Sequence, residues 1–409
     1  MAEQLGRALT RRQFVSSMGL TLAAIPVASA AAVAGMQSAA SPAGAGAQPA
    51  ARPMPKENKL GDPPGRRVGI AVVGLGNYAL GQILPRIAQT QHLRLAAVVS
   101  GNRDKARTVA DAYGLSAQNI YDYAGFEKLR DDKSVDAVYI ILPPALHAEY
   151  TVRAAQIGKH VLCEKPMAPT SDDCRRMIDA CARANRRLMI GYRVHWEPHN
   201  LEAIRLMRKG EIGQPLQIVG QHGTPADPST PHGEWRIRRA LSGGGSLWDV
   251  GIYSLNGARF LSGEEPVEVR ASYRRPPGAD IGGVVADVES GINWEARFPS
   301  GLVAVGTSAY DYTVNHMFVH GEKGSIALSP ATSYQGNEIR IKTSAGEEKP
   351  KVGEADEQFL GMLDEFALAV RENREPRTSG REGLRDVQIM ELIYEAARTG
   401  RAVAVPPAA

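Results

Sequence analysis

At 409 residues the chain is long enough for two domains, since single cores stop growing beyond about 250–300 residues. Its 43% hydrophobic and 22% charged residues are ordinary for a soluble globular enzyme. The formal net charge of +4 includes Arg7, Arg11 and Arg12 against Glu3 near the N-terminus, so no nucleic-acid partner is indicated.

The N-terminus reads Thr10-Arg11-Arg12-Gln13-Phe14-Val15 and continues through Leu20, Leu22, Ile25 and Val27 without a charged residue until Arg52. Ala28-Ser29-Ala30 supplies small residues suited to signal peptidase, so residues 1–30 are expected to be a signal peptide. The paired arginines resemble a twin-arginine export signal. A membrane anchor and a chance basic pair are the alternatives. The Ala-, Ser- and Gly-rich stretch with Pro26 inside would hold a bilayer poorly, so no stable membrane anchor is expected. Signals of this type carry proteins that are already folded. A periplasmic location with a cofactor loaded in the cytoplasm and retained is therefore the expectation. Residues 31–66, rich in Ala and Pro without hydrophobic periodicity, read as an arm or linker.

Residues 67–194 read as a dinucleotide-binding domain. Val68–Val73 is a short apolar run suited to a strand buried on both faces. Gly74-Leu75-Gly76-Asn77-Tyr78-Ala79 follows as G-x-G-x-x-A. Gly74 permits the turn, Gly76 admits a pyrophosphate, and Ala79 keeps the next helix close to its strand. A helix to about Gln89 and a strand Leu93–Ser100 complete the βαβ unit, the context that gives the motif its weight. NAD binders usually end this second strand in a carboxylate. Here Ser100, Gly101, Asn102, Arg103 and Lys105 replace it, which favours the 2′-phosphate of NADP. Asp104 argues the other way unless it caps the next helix.

The βα rhythm continues with a strand Val135–Leu142, a helix from about Ala145 and a strand His160–Cys163. A helix near Asp172–Ala184 and a strand Leu188–Tyr192 complete it. Ligands of such sheets bind beyond the strands' carboxyl ends, so the loops at Pro143–His147, Glu164–Met167 and Tyr192–His195 should line one cleft. Cys163, Cys174 and Cys181 form no C-x-x-C pair, and no metal is expected. Cys174 and Cys181 on one helix would stand about 10 Å apart, too far for a disulfide.

Glu164-Lys165-Pro166 should bring Lys165 out at the sheet's carboxyl edge. Much later, Gly243-Gly244-Gly245-Ser246-Leu247-Trp248-Asp249-Val250-Gly251-Ile252-Tyr253 places Asp249 and Tyr253 four apart, on one face if helical. Alcohol oxidation needs a base for the hydroxyl proton. A free phenol, with its pKa near 10, is too weakly acidic to serve at neutral pH. A neighbouring ammonium such as Lys165 would stabilise the phenolate, and Asp249 could orient the sugar or the lysine. A surface lysine, and a helix aspartate beside a packed tyrosine, are the structural alternatives. Arg236, Arg238 and Arg239 suit sugar or cofactor contacts or an exposed basic segment. His147 and His195 suit a cleft wall or a catalyst.

Together GLGNYA, YIILPPALHAEY, GKHVLCEKP, MIGYR and GGGSLWDVGIYSLNG resemble the Gfo/Idh/MocA oxidoreductase family, most closely its glucose–fructose oxidoreductase branch. The similarity runs from about Arg67 to Thr399. The resemblance implies Lys165, Asp249 and Tyr253 as catalytic residues. It matches Gly74, Gly76, Ser100 and Lys105 to cofactor contacts, the last two at the 2′-phosphate; Asn77, Tyr78, Ala79, Gly101, Arg103, Pro143, His147, Glu164, Lys165 and Arg193 stand beside them as candidate cofactor contacts. It also implies tightly held NADP, oxidation of an aldose to its lactone, reduction of a second sugar, and a periplasmic tetramer with an N-terminal arm. Pro49–Pro64 matches that arm in composition alone.

Residues 195–409 read as a second, α/β domain for substrate binding and oligomerisation, built on a large, mostly antiparallel sheet. Ile292, Trp294, Ala296 and Phe298 alternate with polar residues, and Pro299-Ser300-Gly301 turns the chain into Leu302–Gly306. Further strands are expected at Val267–Tyr273, His316–His320 and Glu338–Lys342. Helices carry Phe359, Met362, Leu363 and Phe366, then Ile389, Leu392, Ile393 and Ala396. A sheet of this size commonly leaves one face for another layer, and the resemblance, in which that face makes subunit contacts, implies a dimer or tetramer. Three functions are weighed: an NADP-retaining sugar oxidoreductase with a ping-pong cycle, an NADP-dependent sugar or polyol dehydrogenase that releases its cofactor, and a dinucleotide-binding protein without catalysis.

Overall fold

The computed structural model describes residues 66–354 and 356–408; the expected signal and nearly all of the arm fall outside them. The chain divides into two compact units between Ile141 and Leu142.

In the first unit, β1 (Val68–Val73), β2 (Leu93–Val99), β3 (Ile120–Tyr121) and β4 (Ala137–Ile140) pair in parallel in the order β3-β2-β1-β4. β1 and β4 are buried along their whole length, as their uninterrupted apolar sequences require. After the glycine loop the helix opens as a π-turn, Ala79–Ile83, and continues as α1 (Leu84–Ile87). α2 (Arg103–Tyr113) follows β2 and is capped by Asn102, whose side chain accepts the Lys105 N–H. Asp104, expected as the cap, lies in the first turn, because Asn102 is the residue with extended backbone geometry.

The second unit begins with α3 (Pro144–Gln156), β5 (His160–Cys163), α4 (Ser171–Arg183) and β6 (Leu188–Ile190), with β5 and β6 parallel. His147, expected in a loop, lies within α3, because Pro144 at the first helical position starts the helix early. All three cysteines are buried and unpaired.

β7 (Pro215–Gly223) starts the large sheet. Its other members are β8 (Glu268–Arg275), β11 (Gly291–Arg297), β12 (Val303–Ala309), β13 (Val314–Gly321), β14 (Gly324–Leu328), β15 (Ile339–Thr343), β16 (Gly346–Glu348) and β17 (Val403–Ala404). A two-residue hairpin, β9 (Asp280–Ile281) and β10 (Val284–Val285), stands apart. The nine strands run β16-β15-β14-β13-β7-β12-β11-β8-β17. Every pairing is antiparallel except β7 with β12, which joins segments about eighty residues apart and left no sequence signal.

The β11–β12 hairpin pairs Gly291 with Ala309 and Arg297 with Val303. Ile292, Trp294 and Ala296 point to the covered face, where burying each large side chain contributes about 2 kcal/mol. α5 (Ile252–Ser262) packs on β7, and α7 (Gly380–Thr399) packs on β8. Between β16 and α7 in the chain comes α6 (Glu357–Arg371), which buries Phe359, Met362, Leu363 and Phe366. Among the described residues no helix is long and apolar enough to cross a membrane.

Candidate active site

In the second unit Lys165 and Tyr253, eighty-eight positions apart, are neighbours: the lysine Nζ lies 4.6 Å from the centre of the phenol ring. β5 ends at Cys163, so the chain turns at Glu164-Lys165-Pro166 and leaves Lys165 half-buried at the strand's carboxyl edge. Tyr253 is on the first turn of α5, and Asp249 is in the π-turn Leu247–Gly251 that precedes it. π-turns recur at functional sites, and this one places both residues at the start of one helix.

Asp249, read from the sequence as orienting the sugar or the lysine, meets Lys165 through its main chain. Lys165 Nζ donates to the backbone carbonyl of Asp249 at 2.7 Å. The carboxylate is taken by Arg236, whose Nε donates to Oδ2 at 2.9 Å, and by the Tyr310 hydroxyl at 3.3 Å. Arg236 thus belongs with Asp249. Arg238 donates to the Val285 carbonyl, and the Arg239 guanidinium lies 5.2 Å from the Tyr394 ring centre.

Arg193, expected at the cofactor, also reaches Tyr253. It is 3% exposed. Its guanidinium donates to the carbonyl of Thr332 at 2.5 Å, to the Gln358 amide oxygen and to the Tyr253 hydroxyl at 3.4 Å. Burial by itself would push the Tyr253 phenol up. The charge of Arg193, then that of Lys165, overrides it and brings the phenol below its ordinary value, with Glu164 opposing. The opposite happens at Tyr310 and Tyr334, which burial and nearby negative charge hold well above the usual phenol range. One tyrosine of the cluster is therefore shifted toward ionisation and its neighbours away from it, a contrast typical of acid–base sites.

The two histidines are buried among protein groups. His147 is buried with Nδ1 3.0 Å from the Pro166 carbonyl oxygen and Nε2 2.7 Å from that of Leu142. Both ring nitrogens face main-chain carbonyl oxygens, and the neutral ring that burial favours donates to one of them. His195 stacks on Phe260 with ring centres 3.8 Å apart and bonds Asn256 at 2.8 Å. Sequence reasoning missed Tyr310, Tyr334 and His222, whose ring lies 5.7 Å from that of Tyr253. Each arrives from a distant strand or loop, and no local pattern marks it.

In the first unit the glycine loop suits a dinucleotide. Gly74 has φ 97°, which a side chain would strain. A Cβ added at Gly76 would meet nothing within 4 Å, so the space beside this exposed backbone is open to a phosphate. Asn77 is exposed beside it, Tyr78 is half-buried, and Ala79 is fully buried. At the end of β2 the Ser100 hydroxyl accepts the Asn102 N–H at 3.1 Å, and Gly101, Arg103 and Lys105 are exposed around it. No carboxylate occupies the strand end. In the second unit, Pro143 caps α3 and Glu164 is buried next to Lys165.

The family model described as "Oxidoreductase family, NAD-binding Rossmann fold" matches residues 68–192, and "GFO/IDH/MocA C-terminal domain" matches residues 200–327. The chain is a member of the Gfo/Idh/MocA oxidoreductase family. This Gfo/Idh/MocA chain is 32% identical over 346 residues to D-xylose 1-dehydrogenase [NADP(+)] of Haloarcula marismortui, covering 81% of this chain and 91% of that one. It is also 32% identical to dTDP-3,4-didehydro-2,6-dideoxy-alpha-D-glucose 3-reductase of Streptomyces violaceoruber, covering 81% and 96%. Among solved structures, aldose-aldose oxidoreductase of Caulobacter crescentus, complexed with glycerol, superposes with a TM-score of 0.78 and 45% identity. That match covers 83% of this chain and all of that one. The family places the chain among the oxidoreductases, with a Rossmann domain followed by a large, mostly antiparallel sheet, as the motifs implied. Among the described residues no group of His, Cys, Asp and Glu is arranged to hold a metal.

Proposed function

We propose that the protein is an exported, NADP-dependent sugar oxidoreductase that keeps its cofactor, oxidises an aldose to the lactone and reduces a second sugar. The observation that carries the reading is the phenol of Tyr253, lowered by Arg193 and Lys165 within one buried cluster. The aldose–aldose relative at 45% identity and the NADP-dependent xylose dehydrogenase support the substrate class and the cofactor. So does the absence of an acid at the end of β2, since a carboxylate would repel a 2′-phosphate.

NADP, when bound, supplies the hydride acceptor for the first sugar and the donor for the second. The protein's part is the proton. Tyr253, as phenolate, takes the proton of the anomeric hydroxyl as the C–H bond breaks, and lactone forms. Lys165 and Arg193 stabilise the negative charge before that transfer. In the second half the same phenol returns its proton to the oxygen of the acceptor's carbonyl, so both protons and both hydrides balance. The Asp249 carboxylate holds Arg236, and the pair offers charged hydrogen-bonding groups for sugar hydroxyls.

Purified mature protein, incubated with pairs of sugars and no added cofactor, is expected to yield lactone and reduced sugar in equal amounts while NADP stays with the protein through gel filtration. Cofactor-free protein that turns over only with added NADP would instead establish a conventional dehydrogenase, the reading favoured by the xylose dehydrogenase likeness. Tat-dependent export to the periplasm and assembly into a dimer or tetramer complete the proposal. Fractionation of cells with an Arg11→Lys, Arg12→Lys leader checks the first, and light scattering checks the second.

A further inference from the structure

Lys165 is aimed by a carbonyl, so whatever fixes that carbonyl controls the catalytic pair. The Asp249 carbonyl sits one helical turn beyond the triple glycine, and the Asp249 N–H donates to the carbonyl of Gly245 at 3.1 Å. Gly245 is in turn held by Glu289, a fully buried residue two positions before β11. The Glu289 carboxylate accepts the N–H groups of Gly245 at 3.1 Å and Leu247 at 2.9 Å, and its backbone carbonyl accepts that of Ser246 at 3.1 Å. Three successive amides at the start of the catalytic helix therefore end on one residue. Amides at a helix start lack partners in the helix itself, and a carboxylate there is favoured by the helix dipole.

Tyr394, on α7, completes the arrangement. Its hydroxyl donates to the Glu289 carboxylate at 2.6 Å and accepts the Gly245 N–H at 3.1 Å. Its ring stacks on Trp248 with centres 5.1 Å apart and planes 2° from parallel. The glycines are needed for this approach. A Cβ at Gly245 would lie 1.9 Å from the Glu289 carbonyl oxygen, and one at Gly244 would lie 2.4 Å from the Tyr394 hydroxyl. Burial pushes the Glu289 carboxyl up, and the donors that face it pull against that push.

We propose that Glu289 and Tyr394 form a positioning clamp: through Gly245 and the Asp249 carbonyl they set where Lys165 stands over Tyr253. The proposal rests on the proton-transfer role assigned to Tyr253 above. Neither residue touches substrate, so both are positioning residues. The bonds run in series from Glu289 to Gly245, to Asp249, to Lys165, and loosening the first link lets the lysine drift from the phenol.

Tyr394→Phe keeps the stacked ring and removes only the hydroxyl; Glu289→Gln keeps the shape and turns an amide NH2 toward backbone donors. Three measurements are made on the full-length, cofactor-loaded protein. They are hydrogen exchange of the segment 243–252, the Tyr253 phenol pKa from ultraviolet titration against matched Tyr253→Phe blanks, and the pH dependence of sugar oxidation. Both variants are expected to speed exchange in that segment about tenfold, raise the phenol pKa, move the acidic limb of the rate profile upward and lower kcat several-fold, with sugar KM within twofold. Faster exchange with an unmoved phenol pKa would overturn the proposal, as would unchanged exchange in Tyr394→Phe. Should Glu289→Gln fail to fold, Tyr394→Phe decides alone. The ultraviolet titration needs no turnover, so absence of sugar oxidation in the unaltered protein would sink the proposed function without deciding the clamp.

Discussion

Replacing Lys165 with methionine removes the ammonium and keeps most of the side chain's length. The ammonium lies 4.6 Å from the Tyr253 ring centre. At an effective dielectric of about 20, two unit charges at that separation interact by about 3.6 kcal/mol, or between two and three pKa units. Arg193 remains in the variant and keeps part of the stabilisation. The apparent pKa on the acidic limb of sugar oxidation is therefore expected to rise by about two, which at pH values below that limb lowers the rate about a hundredfold. The sign is fixed: the base form is the phenolate, so a higher phenol pKa means less base at a given pH. The assay is the pH–rate profile of lactone formation under single-turnover conditions, starting from NADP-loaded protein so that cofactor release does not intervene. NADP content after gel filtration serves as the control for folding. A variant whose limb stays where it was, with kcat reduced equally at every pH, would refute the electrostatic argument and leave Lys165 a substrate-binding group.

Three further outcomes follow from the same geometry. Tyr253→Phe should abolish turnover while NADP stays bound, checked by absorbance of the purified protein; retained activity would remove the phenol from the mechanism. Ser100→Asp puts a carboxylate where the 2′-phosphate is expected, and should shift preference toward NAD by about tenfold or more, read from equilibrium binding of the two dinucleotides. Stability should fall on acidification. Burial lowers His160 and His195 to about 4 and His222 to about 3, so the folded protein keeps them neutral while the unfolded chain protonates near pH 6.5. Their contribution is complete above pH 6.5 and is lost progressively as pH falls from 6.5 toward the folded values. From pH 7 to 5.5 the three together cost about 4 kcal/mol, of which Asp386, raised to about 6, offsets about 1. Urea unfolding at the two pH values measures it, and equal midpoints would contradict the assignment.

Local sequence determined much of this protein. The uninterrupted apolar run of β1, the glycine loop behind it and the alternation of Ile292, Trp294 and Ala296 are signals confined to a few residues, and each formed where its pattern placed it. They work because backbone periodicity and side-chain burial act over a single element. Lys165 and Tyr253 were legible for the same reason: each sits in a short motif at the end of a strand or the start of a helix. Tertiary structure alone decided the partners. The carbonyl that receives Lys165, the arginine that lowers Tyr253, the hydroxyl of Tyr310 on Asp249 and the grip of Glu289 on the triple glycine all join segments far apart in the chain. The parallel pairing of β7 with β12 belongs with them. Such contacts depend on where the folded backbone passes, and a side chain's charge environment is the sum of groups that one-dimensional spacing does not contain.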